Sequence, residues 1–302
     1  LRVAALAACA VLLASGPATA ASLRDDYANP AFRAAMGAGL HAFYTRDFSN
    51  ARTKFEAALG VVPDNTLAIS FLNATAAQTP GDLDELVDAE EDRLVRSPSD
   101  YVAHVRLGFS YLFSSITGRD RAADAREELD AAVNLDPKAA AAHVGLGIMR
   151  EDARSANRAK VEFLTALQSD PGDVLAREYL ASIYQVDLRD PRRALAYVID
   201  IPNVVPAYAD MYYHIASLLD DLGARDAAIK YATRGLEADI GHVGEAGQHG
   251  YTLLARIYLG QKKLDDARRV LHAAVAANAD AVFAQSLLQK IDAGDYGPTT
   301  TK

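Results

Sequence analysis

Seven histidines, a single cysteine and forty carboxylates are the side chains of this 302-residue chain that could carry metal, nucleophilic or acid–base chemistry. The histidines do not fall at the spacing of a metal site. No His-Glu-x-x-His run, phosphate loop, Gly-x-Ser-x-Gly elbow or paired-cysteine motif is present. His104 and His143 invite a site because they occupy equivalent places 39 residues apart. Packing of successive structural repeats accounts for them better than ligation. The acidic run Asp82, Asp84, Glu85, Asp88, Glu90, Glu91 and Asp92 could draw Ca²⁺ or a basic partner, but it lacks the ordered ligand alternation of an EF-hand. A solvated helix face is expected, opened by Asp82 and Glu85 at capping-box spacing. The glycines between Gly241 and Gly250 follow a stretch with helical periodicity, not a strand, so a connecting loop is expected there instead of a nucleotide cradle. These readings exclude a cofactor, a metal and an enzymatic function from the expectation.

Residues 1–20 have the order of an export signal: Arg2, an apolar run from Val3 to Ala14, Gly16 and Pro17, then the small residues Ala18-Thr19-Ala20. Cleavage after Ala20 and a periplasmic or extracellular location are expected, with no transmembrane segment left after cleavage. A retained membrane tether, or a lipid anchor on Cys9 within Leu6-Ala7-Ala8-Cys9, is the alternative. The net charge of −9 and the lack of a Lys/Arg stripe argue against nucleic acid.

The elements that would position any site emerge from a recurrent pattern of small and bulky residues. Ala51, Phe55, Ala58, Leu59 and Pro63 form one copy. Ala125, Leu129, Ala132, Val133 and Pro137 form a second, and Ala159, Phe163, Ala166, Leu167 and Pro171 a third. The spacing puts the first four residues on one helical face, and the proline ends the helix. Twelve residues before the first alanine stands Gly39, Gly147 or, ahead of Ala267, Leu271 and Ala274, Ala255. Leu107-Gly108 with Tyr111, Leu180-Ala181 with Tyr184 and Leu254-Ala255 with Tyr258 mark the same face of a preceding helix.

This pattern resembles the tetratricopeptide repeat family, in an exported bacterial form. The resemblance implies an all-α, right-handed superhelical solenoid of about seven antiparallel helix–turn–helix repeats closed by a C-terminal capping helix. The expected organisation is a signal at 1–20, a flexible lead at 21–31 and a repeat domain at 32–281. Its repeats span about 32–65, 66–100, 101–139, 140–173, 174–207, 208–247 and 248–281, followed by a cap at 282–293 and a disordered tail at 294–302. The second repeat is degenerate, and the third carries about five extra residues around 116–120.

Family resemblance also implies that first helices line a concave groove through repeat positions two, five, nine and twelve. In the first repeat these are Arg33, Met36, Leu40 and Phe43; in the third, Val102, Val105, Phe109 and Leu112; in the fourth, Ala141, Val144, Ile148 and Glu151. The fifth gives Leu175, Glu178, Ser182 and Gln185, the sixth Asp210, Tyr213, Ser217 and Asp220, and the seventh His249, Thr252, Arg256 and Leu259. The groove is thus expected to be apolar toward the N-terminus and polar to acidic toward the C-terminus. It suits a peptide or amphipathic segment with an apolar stretch and basic residues toward the other end. The Lys/Asn/Arg clamp that some family members close on a peptide carboxylate is missing. The expected function is a non-catalytic protein-binding scaffold. Self-association into a homo-oligomer, filling of the groove by the chain's own N-terminal residues, and a small-molecule-binding accessory role are the alternatives.

Overall fold

A computed structural model describes residues 25–152, 155–239 and 245–294. The expected export signal, Cys9, most of the expected lead, residues 240–244 and the residues after Gly294 lie outside the described residues. Every regular element described is a helix. In chain order these are α1 (Asp25–Ala28), α2 (Pro30–Tyr44), α3 (Phe48–Leu59), α4 (Thr66–Ala76), α5 (Asp82–Arg96), α6 (Tyr101–Ile116), α7 (Ala122–Leu135), α8 (Ala140–Asp152) and α9 (Ala156–Ser169). They continue as α10 (Val174–Val186), α11 (Pro191–Val198), α12 (Ile201–Val204), α13 (Ala209–Asp221), α14 (Arg225–Ala238), α15 (Glu245–Gly260), α16 (Leu264–Ala277) and α17 (Val282–Asp292). No described helix is long and apolar enough to cross a membrane.

The helices pair as hairpins, and small residues set how closely each pair packs. The second helices bury one narrow stripe each: Ala51, Phe55, Ala58 and Leu59 on α3, Ala125, Leu129 and Ala132 on α7, Ala159, Phe163 and Ala166 on α9, and Ala267, Leu271 and Ala274 on α16. Phe55, Leu129 and Phe163 each meet a glycine on the first helix. A Cβ on Gly39 would come within 2.6 Å of the Phe55 ring, one on Gly108 within 2.8 Å of Leu129, and one on Gly147 within 2.5 Å of Phe163. In the α13–α14 hairpin the arrangement is inverted: the large ring is Tyr213 on the first helix, and Gly235 on the second gives way to it.

Local chemistry starts and stops these helices. Asn65, Asp100 and Asp173 cap α4, α6 and α10 by accepting backbone N–H bonds from Ala68, from Val102 and Ala103, and from Ala176. Four of the turns joining first to second helices place a left-handed residue just before the N-cap: Arg46, Arg189, Gly223 and Lys262. A sharp reversal therefore fits within a few residues, at a strain cost where the residue is not glycine.

The acidic second helix of the degenerate repeat corrects one expectation. Its N-cap is Gly81, at φ 92°, and no side chain caps it. Asp82 and Glu85 do not form a capping box; both instead reach Arg52 of α3, at 3.3 and 2.9 Å. Asp84 pairs with Arg119 in the enlarged turn of the third repeat, Glu90 with Arg106 at 2.9 Å, and Glu91 accepts the Tyr111 hydroxyl. Much of the acidic run is thus committed to joining α5 to its neighbours.

The chain divides into two compact bodies. One comprises the residues through Gly39 with Phe48–Val205, the other Leu40–Asp47 with the residues from Pro206 onward. In the first body α4 buries residues all round its circumference, from Thr66, Leu67, Ala68 and Ile69 to Leu72, Asn73, Thr75 and Ala76. A helix buried on every side has neighbours on its inner as well as its outer face. α4 packs on α5 and α6 and also touches α10, where the Thr66 hydroxyl donates to Asp173 at 2.9 Å.

Candidate peptide-binding cleft

His104 and His143 are held in structural bonds. His104 places Nδ1 2.6 Å from Glu128 Oε2 and Nε2 3.1 Å from the Pro98 carbonyl. His143 repeats this with Glu162 at 2.9 Å and Pro137 at 3.4 Å. The same place in the next repeat holds Arg177, whose Nε donates to the Pro171 carbonyl at 2.8 Å. On α17, Gln285 donates to the Ala279 carbonyl at 2.7 Å. In all four cases the fourth residue of a first helix bonds the carbonyl six residues earlier, fastening the incoming turn to the helix it precedes. Among the described residues no group of three or more His, Cys, Asp or Glu side chains is placed to hold a metal ion.

Of the expected groove residues, ten are interior, Ala141 and Leu175 among them. Met36, Leu40, Val105, Phe109, Leu112, Val144, Ile148 and Tyr213 are all 7% exposed or less. They do not line an open surface; the chain's own packing covers them. In the first body, Tyr27 of α1 is buried, with its ring edge-on to the buried Phe32 at 5.2 Å. Asn65 donates to Asp26 at 3.1 Å, tying α1 to the N-terminus of α4. In the second body, Tyr44 donates to Asp210 at 2.8 Å. Burial pushes the Asp210 carboxyl above its ordinary range, and the Tyr44 bond partly offsets this. Phe43, beside Tyr44, and Glu178 are half-buried. Own-chain filling was legible from sequence only as an alternative, because periodicity shows which face is apolar but not what lies against it.

A cleft of about 300 Å³ lies within the second body, between α15 and the turn and first residues of α17. His249 and Thr252, positions two and five of the seventh repeat, form one wall beside Gln248. Asn278, Asp280, Ala281, Val282 and Phe283 form the other. The Gln248 amide donates to the Ala274 carbonyl at 3.3 Å, and the His249 ring stands edge-on to Tyr213 at 6.0 Å. Val282 and Phe283 are large apolar side chains left 72% and 60% exposed. Arg256, one helical face-length beyond His249 on α15, is exposed. Phe283 was not among the expected groove residues, although as the second residue of α17 it continues the position-two row. Treating α17 purely as a cap hid that signal.

Residues 209–239, which span α13 and α14, match the tetratricopeptide repeat family. No curated protein matches the chain. Among solved structures it is similar to YrrB, a TPR protein with an unusual peptide-binding site, at 20% identity over 67% of this chain and 99% of YrrB, with a TM-score of 0.51. It is also similar to PilF of Pseudomonas aeruginosa, at 16% identity over 86% of this chain and 97% of that one, again with a TM-score of 0.51. At such identities the likeness is one of fold. The chain carries a tetratricopeptide repeat at 209–239 within an all-α helix–turn–helix repeat solenoid with a capping helix.

Proposed function

We propose that this protein is a non-catalytic scaffold that holds an extended polypeptide segment in the cleft between α15 and α17. The observation that carries this reading is the cleft itself: a concave space of about 300 Å³ that sets hydrogen-bonding groups on one side and the exposed Phe283 and Val282 on the other. An aromatic anchor at the mouth of a concave, partly polar site suits a peptide, whose side chain packs on the ring while its backbone bonds to the walls. Two further observations support it. The two histidines at equivalent repeat positions, His104 and His143, are engaged in structural bonds, as is the buried Asp173. The fold is shared with YrrB, which is described by its peptide-binding site.

The test is a random peptide array probed with the full chain and with Phe283→Asp. Because Phe283 is mostly exposed, the substitution should leave helicity and the thermal midpoint unchanged. It should weaken the selected peptides about tenfold, the equivalent of roughly 1.4 kcal/mol from a lost apolar contact. Unchanged affinity would exclude the cleft as the binding site.

A further inference from the structure

The charge expected of the partner depends on which groove charges are already used. From sequence, the C-terminal part of the groove sums to acidic because of Asp210 and Asp220. Both are engaged: Asp210 accepts the Tyr44 hydroxyl, and Asp220 lies 3.4 Å from Arg225. Two cations on the same part of the molecule are not. Arg256 on α15 and Lys290 on α17 are both exposed, and neither has an ion pair or hydrogen bond among the described residues.

Their register relates them to the cleft. Arg256 lies seven residues after His249, and Lys290 seven residues after Phe283, so each shares a helix face with a cleft-lining residue. The helices alternate in direction through short turns, so α15 and α17 run the same way with α16 returning between them. Both cations therefore stand about 10 Å along their helices from the cleft, at the 1.5 Å rise per residue of an α-helix. An extended chain covers that distance in about three residues.

We infer that the partner segment is acidic: an apolar residue packs against Phe283, and a carboxylate about three residues away sits between Arg256 and Lys290. This rests on the cleft reading above and reverses the basic partner that the summed charge suggests. Asp280 at the cleft wall opposes an acidic group in the cleft itself, which favours an apolar residue there and the carboxylate beyond it.

The test uses the full chain and labelled synthetic peptides of one length, each with a single leucine or phenylalanine followed or preceded at two to five residues by Glu, Lys or Gln. The Glu series should bind best, with an optimum at a spacing of three, and its affinity should fall as salt is raised. The double reversal Arg256→Glu plus Lys290→Glu should weaken the Glu peptides about tenfold, as expected for two partly exposed ion pairs exchanged for repulsion, and should make the Lys series the better ligand. The Gln series should change less than about twofold. If all three series bind alike, lose affinity with Phe283→Asp and ignore the double reversal, the cleft stands and the acidic partner is overturned. Tight binding of the Lys series to the unaltered protein would also overturn it. If no series binds, the cleft reading falls and the charge inference with it.

Discussion

Gly147 and Phe163 show how single residues set the spacing of a hairpin. The Phe163 ring fills the space where a Cβ on Gly147 would come within 2.5 Å, and the ring is itself fully buried. Alanine at 147 would favour the helix by up to about 1 kcal/mol in isolation. Here it should instead destabilise by about 1–3 kcal/mol, because a packed aromatic ring has to move. Phe163→Leu alone should also cost stability, through lost volume. In the double variant the two costs should fall well short of their sum, because a smaller side chain at 163 admits the new methyl. Urea denaturation of the four proteins measures this coupling; additive costs would mean that ring and glycine are independent.

At the scale of elements, the bond from the fourth residue of a first helix to the carbonyl six positions earlier keeps successive hairpins in register. Its members differ in depth. Arg177 is 3% exposed, bonds the Pro171 carbonyl and also reaches the Tyr197 carbonyl at 3.5 Å. His143 is only partly buried. Arg177→Ala leaves the buried Tyr197 carbonyl and the part-buried Pro171 carbonyl without this donor and should cost about 2–3 kcal/mol, whereas His143→Ala should cost about 1 kcal/mol. Thermal or urea unfolding of the two variants checks the order, and an equal cost would mean that burial does not grade the bond. The acidic helix α5 shows a second use of polar residues at this scale. Its salt bridges to Arg52, Arg106 and Arg119 act beside an apolar stripe of Leu83, Leu86 and Val87 that lacks the buried alanines of the other second helices.

Over the whole molecule, one buried and one partly buried group give stability opposite dependences on pH. Complete burial pushes Asp173 up from 3.8 to about 7, with the nearby Asp170 adding to the shift. Between those values the folded chain keeps a proton that the unfolded chain has lost, so this contribution falls as pH rises from about 4 to 7. In the other compact body, burial pushes His214 down from 6.5 to about 4. There the unfolded chain holds the extra proton, and the contribution rises with pH over roughly the same window. Relative to the unaltered protein, Asp173→Asn should gain stability between pH 4.5 and 7, and His214→Gln should lose it. Urea midpoints across that range provide the measurement. Parallel profiles for a variant and the unaltered protein would mean that its residue does not titrate differently on folding.

The sequence by itself determined the helical hairpins, their small-against-bulky seams and the helix turns, because these arise between residues close in the chain and recur with a fixed period. Gly39 and Gly147 stand at one fixed spacing from Phe55 and Phe163, whereas the enlarged turn of the third repeat sets Gly108 five residues further from Leu129, and the structure brings that pair together. It also marked the apolar face of each first helix, but not the occupant of that face. Only the tertiary structure decided that Met36, Phe109 and Tyr213 are interior, that Asp26 meets Asn65 and Thr66 meets Asp173, and that Tyr44 engages Asp210. These pairs are separated by 39 to 166 residues, and no periodic pattern encodes them. The same long-range contacts determine which charges are spent and which remain. The apolar first-helix residues Met36, Phe109 and Tyr213 are therefore covered by the chain's own packing, while Phe283, Arg256 and Lys290 of the second body are exposed.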